Sequence, residues 1–311
     1  YAWHEPADRS PTATRAAGAT ADAAVSDPRA PQWFQTALAL GPQRLSHDLD
    51  GVRLTYRAWG GRGLPLVVLV HGGSAHGGWW DHIGPLLAGR HRVLAPDLSG
   101  HGDSGRRSTY GLGPWTAELA ALVERESEGD SPPPVLIGHS MGGWVALSLA
   151  ATRPELVGEL VVIDSPMRAR EPGEPLPPMR TTLAVYPSRQ DALEHFRLTP
   201  AQDHAALPFV MEHVAATSIR EVEGGWSWKF DPAIAARRGE SRPDLAHVSC
   251  PVTLLPAERG MLALEDAGRA AAVLGGAVTI AQIPDAGHHV MMDEPLALVT
   301  ALRLVLARPG A

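Results

Sequence analysis

Lysine is nearly absent from this 311-residue chain: Lys229 is the only one, and arginine supplies the remaining positive charge. A phosphate-cradling loop of the Walker type needs a lysine beside its glycines, and Lys229 lies in no such loop, so that kind of nucleotide site is excluded. Cysteine is equally scarce. Cys250 has no partner within the chain, so an internal disulfide is excluded. Its place before Pro251, at the start of an apolar run, reads as a buried structural thiol. Basic excess is missing too, with a formal net charge of −7. Nucleic acid is therefore not an expected partner. No apolar stretch reaches 18 residues, so no membrane span is expected, and no internal repeat is visible. The numbering starts at Tyr1; a cytoplasmic location is expected, with secretion after removal of a signal peptide ahead of Tyr1 as the alternative.

What is present is enough apolar residue, 44% of the chain, to bury a large core. Residues 1–40 read as an N-terminal arm, weakly structured and closing with a short helix over Trp33–Leu40. From Arg44 strands take over, with a hairpin turn at Asp50-Gly51. Leu66–Val70 is a continuous apolar run of the kind expected in a central strand covered on both faces. Further strands are expected at Val93–Ala95, Val135–Ile137, Leu160–Ile163, Val252–Leu255 and Val278–Ile283. Helices are expected over Trp79–Leu87, Pro114–Glu126, Gly143–Ala150, Leu262–Leu274 and Pro295–Leu306, with a loop at Pro284–His289. Strands alternating with helices imply an α/β chain with a mostly parallel sheet and helices on both faces. Residues 166–246 break this rhythm. They are rich in proline and carry helical pieces at Gln190–Arg197 and Phe209–Arg220, which reads as a helical cap inserted into a core of 41–165 and 247–311.

The densest chemical signal is Gly138-His139-Ser140-Met141-Gly142, between the Val135–Ile137 strand and the following helix. A strand that turns sharply into a helix with serine at its apex is a nucleophile elbow. Gly138 and Gly142 leave room where a Cβ would meet backbone, and Ser140 is expected in a strained conformation. The Met141 N–H, at a helix N-terminus, is placed to donate to a developing oxyanion.

The elbow, His71-Gly72-Gly73 after a strand, the loop Asp97–Ser104 and Gly287-His288 near the end together resemble the α/β-hydrolase superfamily over roughly residues 44–311. The resemblance implies an eight-stranded-type sheet, a helical cap and a chain order of serine, acid, histidine. It implies His288 as the base that activates Ser140, with His289 as the fallback, and Gly73 as the second oxyanion donor beside Met141. His71, His101 and His139 are expected to be structural. The acid departs from the usual pattern. In similar enzymes an aspartate stands three positions beyond the small residue that follows a strand like Val252–Leu255. Here that small residue is Ala257 and the third position is Gly260, which has no carboxylate. Asp164, at the tip of the strand after the elbow helix, is the expected acid, with Glu258, in the expected loop, as the alternative; Asp266 is more distant.

These residues imply a serine hydrolase acting on a small-molecule carboxylic ester, lactone or thioester, without cofactor or metal. His288-His289 and His101-Asp103 are too isolated in sequence to suggest zinc. A carbon–carbon bond hydrolase or a cofactor-free haloperoxidase-like enzyme would use the same triad. A cofactor-free oxygenase like the quinolone-ring dioxygenases would carry histidine at position 141. Serine at the elbow argues against haloalkane dehalogenases and epoxide hydrolases, which use aspartate there. A non-catalytic ligand-binding protein is the alternative from outside enzymology. Ser74, Trp226 and Trp228 are the expected pocket residues.

Overall fold

The alternation of side chains along each apolar strand dictates how the layers assemble. In the computed structural model, which describes residues 29–129, 131–167, 182–202, 206–236 and 242–308, Val67 and Leu69 face one core while Val68 and Val70 face another. Ile137 and Leu136 divide in the same way. This is the period of two expected of a strand covered on both faces. The expected arm lies outside the described residues up to position 28. Its closing helix is present as α1 (Gln32–Ala39), which buries Phe34.

Eight strands form the main sheet. β1 (Gln43–Leu49) and β2 (Val52–Trp59) make the expected antiparallel hairpin, with Asp50 and Gly51 both at positive φ, as a tight two-residue turn requires. The others are β3 (Leu66–Val70), β4 (Arg92–Pro96), β5 (Val135–His139), β6 (Glu159–Ile163), β9 (Val252–Leu255) and β11 (Val278–Ile280). The spatial order is β1-β2-β4-β3-β5-β6-β9-β11. β2 runs antiparallel to β4, and every pairing from β4 to β11 is parallel. One face is covered by α3 (Leu112–Glu126) and α4 (Met141–Thr152), with α7 (Leu264–Ala271) beside them. The other face carries α1, the single turn α2 (Gly84–Leu87), and α8 (Val290–Asp293) with α9 (Pro295–Leu306). Among the described residues no helix is long and apolar enough to cross a membrane.

Several expected elements differ in detail. Trp79–Leu87 is not one helix but a 3-10 turn, Gly77–Trp80, followed by α2; the turn is bound at its start by the His76 ring, which accepts from Gly78 N at 3.0 Å. The insertion is mixed rather than wholly helical. α5 (Arg189–Glu194) and α6 (Pro208–Thr217) are followed by an antiparallel hairpin, β7 (Ile219–Val222) and β8 (Gly225–Trp228). The helix expected to run to Arg220 stops at Thr217, because the Ser218 hydroxyl donates back to Val214 O at 2.6 Å and the chain then alternates. Gly224 and Gly225 supply the positive φ at the turn. Pro284–His289 is likewise not all loop: β12 (Ile283–Gly287) pairs in parallel with the short β10 (Ala257–Arg259). Cys250 is half-buried, and burial pushes its thiol up to about 11.

Buried polar contacts tie the insertion to the sheet. Arg57 on β2 meets Asp81 at 3.0 Å and Asp97 at 3.3 Å, and His213 on α6 reaches Asp81 at 3.3 Å. Ser218 accepts from the Trp79 indole at 3.2 Å and lies 3.1 Å from His76 Nε2. The lone lysine, Lys229, follows β8 and pairs with Asp103 at 3.1 Å. Burial by itself would raise the Asp97 carboxyl; Arg57 and the backbone N–H groups of Asp103 and Gly77 outweigh it and hold the group below its usual range.

Two outcomes are expected from this packing. Leu136→Ala, in a fully buried central strand, costs about 3 kcal/mol in a denaturant titration, whereas Leu304→Ala at an exposed site changes stability by less than about 0.5 kcal/mol. Burial depresses His82 to about 4 and His289 to about 4. Below the ordinary histidine value the unfolded chain therefore binds more protons than the folded one. That stability is present above about pH 6.5 and is lost as pH falls toward 4. The melting temperature falls between pH 7 and pH 4.5; a flat profile over that window would contradict the buried neutral state of these rings.

Candidate active site

The site is built around a backbone turn. β5 ends at His139, α4 starts at Met141, and Ser140 between them has φ 52 and ψ −117. A serine in that region carries strain of about 1–3 kcal/mol and persists only where its surroundings over-determine it. They do. Ser140 N donates to Ile163 O at 3.0 Å, and the Ser165 hydroxyl donates to Ser140 O at 2.7 Å. A Cβ at Gly138 would lie 2.6 Å from Gly143 Cα, and one at Gly142 would lie 2.5 Å from His71 O. Both glycines are thus required by close backbone approach, as the sequence implied. The Ser140 side chain is left half-buried at the strand tip.

His288 follows directly on β12, and Asp164 directly on β6. The topology brings both beside Ser140. His288 Nε2 lies 3.0 Å from Ser140 Oγ and its Nδ1 lies 2.7 Å from Asp164 Oδ2. Asp164 is fully buried and sits at φ 41. Its Oδ1 accepts from the N–H groups of Ala257 and Leu262, each at 3.1 Å, and its Oδ2 accepts from Met261 N at 2.7 Å. The glycine at position 260 belongs to this arrangement: a Cβ there would lie 2.5 Å from Asp164 Cγ. A side chain at 260 and a carboxylate at 164 compete for one volume, and this chain fills it from β6. Glu258 is not brought to His288. It is exposed, and its Oε2 accepts from Asp285 N at 2.7 Å, bracing the start of the histidine loop. Asp266 is also elsewhere, paired with Arg269 on α7.

The loop after β3 runs alongside the serine. A Cβ at Gly72 would lie 3.3 Å from Ser140 Cβ, and one at Gly73 would lie 3.9 Å from Met141 Sδ. Gly73 and Ser74 are exposed, and Ser74 has φ 60. His71 anchors the loop. Its Nε2 accepts from Leu98 N at 3.1 Å, so the proton is on Nδ1, which donates to Gly72 O at 2.7 Å. His101 lies against it, with ring centroids 4.8 Å apart. Trp226 and Trp228, both on β8, are half-buried. Trp226 exchanges backbone hydrogen bonds with Tyr186, both at 2.8 Å, and the Trp228 ring meets Tyr186 and Phe196 at 5.5 and 5.8 Å. Ser165, which holds the elbow carbonyl, has no signature in the sequence; only its contact identifies it. His139 and His289 flank His288, with ring centroids at 4.7 and 5.0 Å. Burial, reinforced by His288, pushes His139 well below the ordinary histidine value and His289 to about 4. These three histidines are the group among the described residues with ring nitrogens close enough to share a metal ion.

Comparison with known proteins agrees with this architecture. The family model described as "Alpha/beta hydrolase family" matches residues 67–302. An esterase from Mycobacterium tuberculosis is 32% identical over 263 residues, covering 80% of this chain and 84% of the relative. A pimeloyl-[acyl-carrier protein] methyl ester esterase from Methylococcus capsulatus is 31% identical over 238 residues, covering 73% of this chain and 89% of the relative. Among solved structures, the thioesterase domain from the curacin biosynthetic pathway superposes with a TM-score of 0.68 at 23% identity, covering 84% of this chain and 99% of the domain. That likeness concerns the fold. With the sheet order, the strand-to-helix serine turn and the family match in agreement, the chain belongs to the α/β-hydrolase family.

Proposed function

We propose that this chain is a serine hydrolase of small-molecule carboxylic esters. The observation that carries the reading is the unbroken hydrogen-bond chain from Ser140 Oγ through His288 to the buried Asp164. The esterase names of its relatives support the substrate class. The geometry suits a two-step acyl transfer. Ser140 attacks the ester carbonyl while His288 Nε2 takes its proton. The carbonyl oxygen becomes an oxyanion received by the N–H groups of Met141 and Gly73. His288 returns the proton to the departing alcohol, leaving an acyl-enzyme, and then activates the water that releases the acid. Asp164 keeps the proton of the neutral ring on Nδ1 and stabilises the imidazolium that forms. It is the favoured acid over Glu258 because its carboxylate touches the ring.

Residues 166–246 act in this reading as the cap, with 41–165 and 247–311 as the core. The contacts of His213 on α6 with Asp81 and of Lys229 with Asp103 seat that cap on the loops after β3 and β4, and the exposed Gly73–Ser74 loop is left for the substrate.

The reading is tested with a chain-length series of p-nitrophenyl esters. Ser140→Ala is expected to reduce kcat by about a million-fold; equal rates in wild type and variant would falsify the esterase assignment. Asp164→Asn is expected to reduce kcat by about ten-thousand-fold, while Glu258→Gln changes it no more than a few-fold. The reverse ranking moves the acid to Glu258. Gly260→Ala introduces a Cβ against the Asp164 carboxylate and shifts it from His288; a misplacement of this size is expected to lower kcat by about a hundred-fold. Unchanged turnover in Gly260→Ala means that the carboxylate position is not critical.

A further inference from the structure

Three histidines meet behind the serine. His139 ends β5, His288 and His289 follow β12, and each offers one ring nitrogen to a group whose members lie within 4.8 Å of one another. The rings are 2%, 4% and 3% exposed, respectively. Their hydrogen bonds determine which nitrogen of each ring carries a lone pair. His139 Nε2 faces His288 O at 2.8 Å and His289 Nε2 faces Pro200 O at 3.2 Å. A carbonyl oxygen only accepts, so both Nε2 atoms are protonated. The unprotonated atom of each neutral ring is Nδ1, and both Nδ1 atoms are buried without a hydrogen-bond partner. His288 is arranged in the opposite sense. Its Nδ1 donates to the Asp164 carboxylate, and its lone pair is on Nε2, toward Ser140.

Each ring thus has its N–H held by a carbonyl or carboxylate and its other nitrogen unprotonated. That is the state, and the supporting shell, in which histidine binds a transition metal. From this geometry we infer that His139, His288 and His289 form a binding site for a divalent transition-metal ion of the zinc type, and that its occupation removes His288 from Ser140. Binding stands on the three rings alone; its consequence, inhibition, rests on the proposed ester hydrolysis. An all-imidazole donor set suits zinc, copper or nickel and not magnesium or calcium. Zinc–nitrogen bonds of about 2.0–2.1 Å place ligands around a tetrahedral ion about 3.3 Å apart. The rings must therefore rotate inward, and the Ser140–His288 bond is broken as they do. His139 and His289 lie against the proposed catalytic base, with ring centroids 4.7 and 5.0 Å from that of His288.

The test uses untagged, chelator-stripped protein. Zinc titrated calorimetrically into Ser140→Ala is expected to bind at one site. Adding His289→Phe, which keeps an aromatic ring in the edge-on contact with Trp79, or separately His139→Phe, is expected to weaken that binding by at least about tenfold. In the wild type, zinc but not magnesium is expected to stop ester hydrolysis, with recovery on adding chelator. His289→Phe alone retains hydrolysis and raises the half-inhibitory zinc concentration by the same factor. No zinc binding up to millimolar concentration overturns the inference, as does affinity unchanged in both phenylalanine variants. Zinc binding in a wild type that hydrolyses no ester leaves the metal site standing and removes the esterase reading; hydrolysis without zinc binding does the converse.

Discussion

The carboxylate of Asp164 is where the architecture converges. Three backbone N–H groups from the segment after β9 hold it, and the His288 ring completes its coordination. Four parts of the chain meet at this one buried anion: the tip of β6, the β9–β10 corner, the turn before α7, and the end of β12. A buried carboxylate without partners would cost several kcal/mol. The corner from Ala257 to Leu262 is therefore shaped to turn its amides inward, and Gly260 is the residue whose missing side chain makes the approach possible. In the proposed triad, this corner supplies no carboxylate of its own and receives that of Asp164 through its backbone amides.

The elbow shows the same economy on the other side of His288. Ser140 is strained, and its neighbours hold the strain through backbone groups, not through its side chain. Ile163 O takes its N–H and Ser165 takes its carbonyl, which leaves Oγ to His288. The buried set of Arg57, Asp81, Asp97 and His213 fixes a different relation, that of the insertion to the sheet. Such buried ion pairs are worth little as net stability, since desolvation offsets the attraction. Their value is directional: His213 is the member that the insertion contributes, and a cap docked in another register would take it away from Asp81.

Much of this was legible in residue order. The five apolar runs that become β3, β4, β5, β6 and β9 announce themselves by composition, because strands covered on both faces tolerate few polar residues. Ser140 was legible because its turn needs glycine at two defined offsets. The hairpin β7–β8 was not: half-buried on both strands, its alternation is weak, and it follows a good helix without a proline to mark the end. Trp226 and Trp228 looked like pocket residues because large aromatics suit pockets and cores alike. The Trp228 ring meets Tyr186 and Phe196.

The sequence by itself determined the layered α/β architecture, the serine turn and the position of His288 at the end of the last parallel segment, because each rests on short-range pattern: apolar period, glycine spacing and the run that ends in Gly287-His288. The tertiary structure alone decided which carboxylate meets that histidine and what lies behind it. Asp164 and Gly260 are 96 positions apart in the numbering, and His139 is 149 positions from His288. Shared volume at such separations has no local signature, since it arises only when parallel strands are set side by side and their C-terminal tips are forced to share one edge.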